Sequence, residues 1–503
     1  MKKTLTFKTL RGNNYLYSPA KNQFLLCHPI IPFLFLFERN GGDIDAWISS
    51  VQKNIIDLPP YGLFPLTEIR HQRKKYRFLK KHHYFDSPPE INLNSKLSPE
   101  RIIDNITTIK QVIFETTEDC NLSCTYCTYS KFYINKQRGK KKFNIPDAKK
   151  TLEYILNKRN PDHKELMISF YGGEPLKNFP FIKEIVEFLE SGYKPTFSFK
   201  YNLTTNGLLL NRYASFLSKY SFDISISLDG DEKANSFRRL KNDKPSFTHV
   251  IRNTDYLKAN YPEYFDEKVS FITVLHNKNS QAEVHRFFQS RYGKVPMVSG
   301  INTSNVNEQF REEFKQTFLS GISRDDQAPD HMHEMFLRHP VVREIADTLE
   351  KYSGFVYRSP RQLLARGSHR FDAKSYLPSA TCLPFSIRVF LAADGSILPC
   401  EHISRIFEIG QIKNHEVIID PDAIAMDFNH YFEKIRPLCE RCYRADNCKE
   451  CVFNTRIETG DPFCEYFLDE TSFARYFSQQ FSTIELDYPL YLRIIDDAFR
   501  EEK

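Results

Sequence analysis

CNLSCTYC, residues 120–127, holds three cysteines in the spacing C-x3-C-x2-C and follows the strand-like run QVIFETTED. A disulfide framework uses an even number of cysteines, and a structural zinc site uses four ligands. Three thiolates from one short loop suit an iron–sulfur cluster with four irons, because they leave one iron open. The segment therefore predicts a metal-cluster site that can dock a small chelating molecule.

Ten of the eleven cysteines fall into two groups along the sequence: three lie in this loop and seven lie between residues 382 and 464. The remaining one, Cys27, sits in an apolar run and is predicted to be a small core residue. The N-terminal residues MKKTLTFKTLRGNN lack the apolar core of a signal peptide. The apolar stretch 24–37 is too short to span a bilayer. These features predict a soluble cytoplasmic protein without a membrane partner. Because the cytoplasm is reducing, its clustered cysteines are expected to bind metal rather than form disulfides.

The formal net charge of +7 is small for 503 residues. It permits an acidic partner but does not require nucleic acid. Two basic runs, 73–83 and 136–142, are predicted to be solvated faces or surfaces that attract an acidic peptide. Nucleic acid is not expected as a partner, because no nucleic-acid motif accompanies them.

Between residues 110 and 330, six strand-like runs alternate with helix-like runs. This alternation predicts an α/β fold in which a parallel sheet curls into a partial (β/α)6 barrel. Polar motifs follow the strands and are expected to meet on one rim of that barrel, where such folds place their active sites. The motifs, in chain order, are CNLSCTYC, GGEP, TTNG, SLDG and HNKN.

The patterns divide the chain into five predicted segments. The first contains a hairpin, NYLYSPAKNQFLLC, followed by short helices, which is typical of a small winged-helix-like unit. The predicted segments are 1–105 (winged-helix-like), 106–330 (barrel), 331–378 (connector), 379–470 (cysteine-rich) and 471–503 (helical tail).

The C-x3-C-x2-C loop, with Tyr126 before its last cysteine, resembles the radical S-adenosylmethionine (radical SAM) enzymes. The resemblance implies that Cys120, Cys124 and Cys127 hold a [4Fe–4S] cluster whose open iron binds S-adenosylmethionine. That cofactor then yields a 5'-deoxyadenosyl radical, which abstracts a hydrogen atom from the substrate. The resemblance also implies that Ser227 and Arg238 meet the cofactor carboxylate and that Glu174 meets its ammonium group. The implied cofactor-binding residues are Tyr126, Gly172, Gly173, Glu174, Pro175, Thr205, Asn206, Ser227, Asp229 and Arg238.

The second cysteine group resembles the SPASM domain, a seven-cysteine extension of radical SAM enzymes that modify peptides. The resemblance implies two auxiliary [4Fe–4S] clusters. The sequence has two residues between its fifth and sixth cysteines, where that domain has three. The implied ligands are Cys439, Cys442, Cys448 and Cys464 for one cluster, and Cys382, Cys400 and Cys451 for the other.

Together these resemblances predict a radical SAM/SPASM maturase of a ribosomally made precursor peptide. The expected chemistry is oxidative, such as a thioether or carbon–carbon crosslink. The N-terminal unit resembles winged-helix domains that bind leader peptides, and an electron donor such as flavodoxin or ferredoxin is expected. Alternatives remain: formylglycine formation of the sulfatase-maturing type, peptide epimerisation, a non-catalytic peptide-binding partner, and zinc in either cysteine group. The sequence identifies no catalytic acid or base.

Overall fold

A computed structural model gives the structure of this protein. It describes residues 2–88, 92–133, 139–302, 306–319, 342, 344–346, 348–349, 370–372, 375–445, 448, 450–457 and 460–498. Most of the predicted connector, 331–378, and part of the basic run 136–142 lie outside the described residues.

The described chain alternates short strands with helices. The strands are β1 (Leu5–Lys8), β2 (Asn14–Ser18), β3 (Gln23–Cys27), β4 (Ile55–Leu58), β5 (Gly62–Pro65), β6 (Gln111–Thr117), β7 (Glu165–Gly172), β8 (Ser198–Thr205), β9 (Asp223–Ser227), β10 (Val269–Leu275), β11 (Met297–Gly300), β12 (Arg370–Asp372), β13 (Ser375–Tyr376), β14 (Arg388–Leu391), β15 (Ser396–Leu398), β16 (Gly410–Lys413) and β17 (Glu416–Ile418).

The helices follow the apolar periodicity of the sequence, and several begin at side-chain caps such as Asp43, Ser98 and Asn144. The α-helices are α1 (Ile30–Arg39), α2 (Ile44–Ser50), α3 (Leu66–Lys81), α4 (Pro99–Thr108), α5 (Ile145–Lys158), α6 (Phe179–Gly192), α7 (Leu210–Lys219), α8 (Phe247–Asn260), α9 (Pro262–Lys268), α10 (Gln281–Tyr292), α11 (Arg311–Phe314), α12 (Pro421–Arg441), α13 (Glu470–Leu486) and α14 (Tyr488–Ala498).

The residues group into two compact units. One comprises the described parts of 1–95, 341–380 and 432–503, and the other comprises the described parts of 96–340 and 381–431. We call them the outer-segment unit and the barrel unit. In the part of the chain that the structure describes, no helix combines the length and apolar character that a membrane span requires.

The barrel unit contains a ten-stranded sheet in the order β11-β10-β9-β8-β7-β6-β14-β15-β16-β17. Strands β6 to β11 are parallel neighbours, as the alternating pattern predicts. The α/β fold class with a partial six-stranded barrel is therefore confirmed. Strand β14 then pairs in parallel with β6, and β15 to β17 continue the sheet in antiparallel order.

The two faces of the barrel sheet differ in chemistry. Phe114 and Phe170 pack against Phe181 of α6 and form part of an apolar core between sheet and helices. We call the opposite side the inner face. It carries polar side chains, and across β6 and β7 Gln111 donates a hydrogen bond to Ser169 at 2.8 Å. Successive side chains of a strand point to opposite faces of the sheet. The apolar side chains that pack under the helices therefore alternate with side chains on the inner face, which are available for a functional site.

The outer-segment unit begins with an antiparallel sheet in the order β1-β2-β3. The hairpin expected in NYLYSPAKNQFLLC is present as β2 and β3. Helices α1, α2 and α3, with the hairpin β4-β5, build a core around Ile30, Leu34 and Ile69. Helix α13 packs beside β1, where Ser478 donates a hydrogen bond to the carbonyl of Lys8 at 2.5 Å.

Candidate active site

The three cysteines of the first loop follow β6 directly, at the carboxyl end of the parallel strands. Cys120 is buried, whereas Cys124 and Cys127 are partly exposed. The amide N–H of Leu122 donates to the sulfur of Cys120 at 3.4 Å, and the Asn206 side-chain amide does so at 3.6 Å. Hydrogen bonds to sulfur suit a thiolate that ligates a cluster. The donor set therefore fits the predicted [4Fe–4S] group.

Burial raises the pKa of the Cys124 thiol to about 12, although the nearby Arg238 guanidinium opposes the shift. Cys124 also interacts electrostatically with Cys127 and Cys120, so the three thiols lie near one another. Within the described ranges, no three His, Cys, Asp or Glu side chains surround one point as ligands of a single ion. Cluster ligands stand farther apart than that, because each thiolate binds a different iron.

The GGEP turn packs directly against the start of this loop. The backbone N–H of Gly173 donates to the carbonyl of Thr117 at 2.8 Å, and the backbone N–H of Glu174 donates to the carbonyl of Asp119 at 2.9 Å. A Cβ on Gly172 or Gly173 would lie 2.3 Å from the backbone oxygen of Thr117 or Asp119. Both glycines are therefore required by the close approach of the two loops.

The Glu174 carboxylate joins the GGEP and TTNG motifs. It accepts hydrogen bonds from the Thr205 hydroxyl and the Asn206 backbone N–H, both at 2.8 Å, and from the Leu176 backbone N–H at 3.1 Å. Burial raises its pKa to about 7, and these three donors oppose the shift. Pro175 begins the short 3-10 helix Pro175–Asn178, which Glu174 caps. The two motifs thus form one rigid corner.

The SLDG motif contributes a buried ionic network. Asp229 is fully buried and receives two hydrogen bonds from Arg238, from Nε and from Nη2, each at 3.0 Å. The Tyr126 hydroxyl and the Val274 amide also donate to this carboxylate. Burial alone would raise the pKa of Asp229, but Arg238, His276 and Tyr126 hold it at about 2. The structure therefore places Tyr126, Asp229 and Arg238 together.

Ser227 lies at the end of β9 and is only partly buried, and it faces the strand β10 residue Ile272 in register. Its side chain makes no hydrogen bond within the described residues. Its predicted contact with the cofactor stays a prediction, as do those of the other motif residues.

Sequence reasoning missed two groups on this rim. His276, from the HNKN motif, is fully buried, and its Nε2 lies 3.8 Å from Asp229. Arg405 binds the buried carboxylates of Glu115 at 2.8 Å and Glu118 at 3.0 Å. The position of the polar HNKN motif directly after a predicted strand was a sequence signal that could have indicated His276 as a site residue. No sequence signal indicated Arg405, because it lies about 290 residues from its partners.

The cysteines of the second group are divided between the two units. Cys439, Cys442, Cys448 and Cys464 interact electrostatically within the outer-segment unit, as the first predicted ligand set requires. Burial raises the pKa of Cys439 to about 12 and that of Cys464 to about 11. Cys382 and Cys400 interact within the barrel unit, while Cys451 belongs to the outer-segment unit. Both auxiliary ligand sets remain predictions.

Comparison with known proteins identifies the barrel. Residues 114–289 match the family model described as Radical SAM superfamily. The chain contains a radical SAM domain. This match spans the cysteine loop and the GGEP, TTNG and SLDG motifs, and it confirms the resemblance that the sequence carried. The radical SAM relatives with named activities are enzymes.

Three relatives illustrate how far the similarity reaches. The "Cysteine-type anaerobic sulfatase-maturating enzyme" of Clostridium novyi is 26% identical over 322 residues, which are 61% of this chain and 77% of the relative. A protein of Methanocaldococcus jannaschii named "Uncharacterized protein MJ0907" is 32% identical over 172 residues, 34% of this chain and 54% of its own length. The "Radical SAM cyclopropyl synthase TigE" of Paramaledivibacter caminithermalis is 27% identical over 191 residues, 35% of this chain and 38% of its own length.

Proposed function

We propose that this protein is a radical SAM/SPASM maturase that oxidatively modifies a ribosomally made precursor peptide, forming a thioether or carbon–carbon crosslink. One observation carries the proposal: the cysteine loop, GGEP, TTNG and SLDG motifs meet at one edge of the parallel sheet inside a radical SAM domain. The cytoplasm suits such a site, because it keeps the thiols reduced.

In this proposal each motif has a separate task. Cys120, Cys124 and Cys127 hold the [4Fe–4S] cluster, which together with S-adenosylmethionine supplies the chemistry of hydrogen-atom abstraction. Nη1 of Arg238 makes no hydrogen bond within the described residues, so we assign it to the cofactor carboxylate. Asp229 fixes the orientation of that guanidinium, and Glu174 fixes the corner beside the loop. A flavodoxin or ferredoxin would supply the electrons.

A peptide substrate is supported by the outer-segment unit. One edge strand of its small sheet, β1, is covered by α13. The other edge, β3, forms no strand pair beyond β2 among the described residues. An open edge can accept an extended peptide as a further strand. Exposed basic residues on α3, including Lys74 and Lys75, would attract an acidic leader.

Leu26 on β3 offers a direct test of leader binding, because its side chain is 65% exposed. We expect Leu26→Asp to weaken binding of the precursor peptide at least tenfold, measured by fluorescence anisotropy with the full-length chain. The matched control is Leu63→Asp on β5, where the leucine is 68% exposed in the same unit. Equal binding by both variants would remove β3 from the docking surface.

Crosslinking is supported by the number of electrons that the reaction releases. Removal of one hydrogen atom and closure of a new bond release a second electron and a proton, so an electron acceptor is needed near the substrate. The seven cysteines from 382 to 464 could hold acceptor clusters. A relative named as a cyclopropyl synthase is consistent with formation of a new bond within a substrate.

Formylglycine formation is the second candidate, and the similarity to the Clostridium novyi sulfatase-maturating enzyme favours it. The decisive experiment is anaerobic co-expression with the short open reading frames beside the gene, followed by mass spectrometry. A loss of two hydrogens per event is expected. Loss of sulfur from a cysteine would establish formylglycine formation instead. An unchanged mass with one deuterium gained in heavy water would establish epimerisation. Cys124→Ala is the control without the radical chemistry.

A further inference from the structure

Tyr171 occupies a special place on the inner face. It is the residue of β7 that comes immediately before Gly172 of the GGEP turn. It pairs in register with Glu115 of β6, and registered residues on neighbouring strands point to the same side of a sheet. Its ring meets Phe390 of β14 edge-on, with centroids 6.5 Å apart. Tyr171 therefore lies on the inner face beside the predicted cofactor site.

The Tyr171 hydroxyl is not engaged by any residue that the structure describes. The side chain is 37% exposed, and its hydroxyl makes no hydrogen bond to any residue in the described ranges. Two other tyrosines of this region are already engaged, since Tyr126 donates to Asp229 and Tyr129 donates to Glu115 at 3.3 Å. A tyrosine that keeps its hydroxyl open inside a site has that group available for water or a ligand.

The surroundings keep this hydroxyl protonated. The ordinary pKa of a tyrosine is near 10, and partial burial and the carboxylates of Glu401 and Glu115 raise the pKa of Tyr171 further. At neutral pH the group is therefore a hydrogen-bond donor rather than a phenolate. Glu115 is paired with Arg405 and Glu401 with Arg388, so the nearby charges are compensated and a neutral acceptor fits this donor. Every residue of a peptide carries such an acceptor in its backbone carbonyl.

We propose that the Tyr171 hydroxyl donates a hydrogen bond to a backbone carbonyl of the peptide segment being modified, and so holds the reacting residue in place. This inference rests on the proposed function, because it takes a peptide as the substrate. Its effect is on geometry: a bound segment that is held loosely reacts less often after each cofactor cleavage.

Tyr171→Phe tests the inference, because it keeps the ring and its contact with Phe390 and removes only the donor. The reconstituted full-length enzyme would be given S-adenosylmethionine and the precursor peptide. We expect 5'-deoxyadenosine to form within threefold of the wild-type rate. The ratio of modified peptide to 5'-deoxyadenosine should fall at least tenfold. The control is Tyr256→Phe on α8, where the tyrosine is 42% exposed and distant in sequence from every motif.

A second measurement needs no clusters. Tyr171 replaced by p-benzoylphenylalanine in the full-length, cluster-free chain should photocrosslink to the precursor peptide, whereas the same replacement at Tyr256 should not. Wild-type coupling in Tyr171→Phe, or crosslinking no stronger at 171 than at 256, would overturn the role of Tyr171. A wild-type enzyme that modifies no peptide would instead overturn the proposed function.

Discussion

Asp229 and Arg238 form a buried ion pair beneath the cysteine loop, and their side chains are 0% and 10% exposed. Removing one partner of such a pair leaves an uncompensated buried charge. We expect Arg238→Gln to lower the free energy of unfolding by roughly 3–5 kcal/mol, measured by urea denaturation. The pair Arg291–Asp255 is the control, because both side chains are 42% exposed. Arg291→Gln should cost less than about 1 kcal/mol.

Glu174 should make the stability of the cofactor-free chain depend on pH. Its pKa is about 7 in the folded chain, above the value of 4.5 expected when the chain is unfolded. The folded state therefore binds the proton more tightly, and stability is lost as the pH rises from about 4.5 to about 7. The Glu174 carboxyl should account for a loss of up to about 3 kcal/mol over this range. Glu174→Gln should lose much less in parallel urea titrations, and equal slopes would contradict the assignment.

The residues of the site could be predicted from the sequence wherever a short motif carried them. Glu174, Asn206 and Asp229 were found in this way, because each sits in a polar turn after a strand. Their partners inside the protein could not be predicted. Spacing does not reveal that Glu174 accepts from Thr205 or that Tyr126 donates to Asp229, since those contacts depend on how separate loops pack.

At the scale of elements, the close contact between the GGEP turn and the cysteine loop is sensitive to the addition of a single side-chain atom. Gly172 has a φ of +132°, and a Cβ there would press on the Thr117 carbonyl. We expect Gly172→Ala to cost roughly 1–3 kcal/mol from backbone strain and to lower iron retention after anaerobic desalting. Gly192→Ala at the end of α6 meets no atom within 4 Å and should retain iron like wild type.

Strands β6 to β11 were predictable because each is an apolar or alternating run bounded by turn residues. The two N-terminal strands of the hairpin NYLYSPAKNQFLLC were predictable for the same reason. The addition of β14 to β17 to the barrel sheet was not. Those strands are only three or four residues long, and the pairing of β14 with β6 depends on contacts across the chain rather than on local pattern.

For the whole molecule, metal content tests all ten predicted ligands together. Three [4Fe–4S] clusters correspond to roughly twelve irons per chain. We expect an anaerobic preparation to reach that number by iron assay. Cys124→Ala should lose about four irons and all cofactor cleavage, whereas Cys439→Ala should lose only auxiliary iron. Stoichiometric zinc with about four irons would instead support the zinc alternative for the second cysteine group.

The pairing of β6 with β14 also has a consequence for synthesis on the ribosome. Strand β6 begins at Gln111, and the strand that covers its free edge begins only at Arg388. At ~5–20 residues per second, the edge waits roughly 14–55 s for its neighbour. An unpaired edge invites pairing with other chains during this time. We therefore expect a chain stopped before β14 to aggregate more readily than the full-length chain.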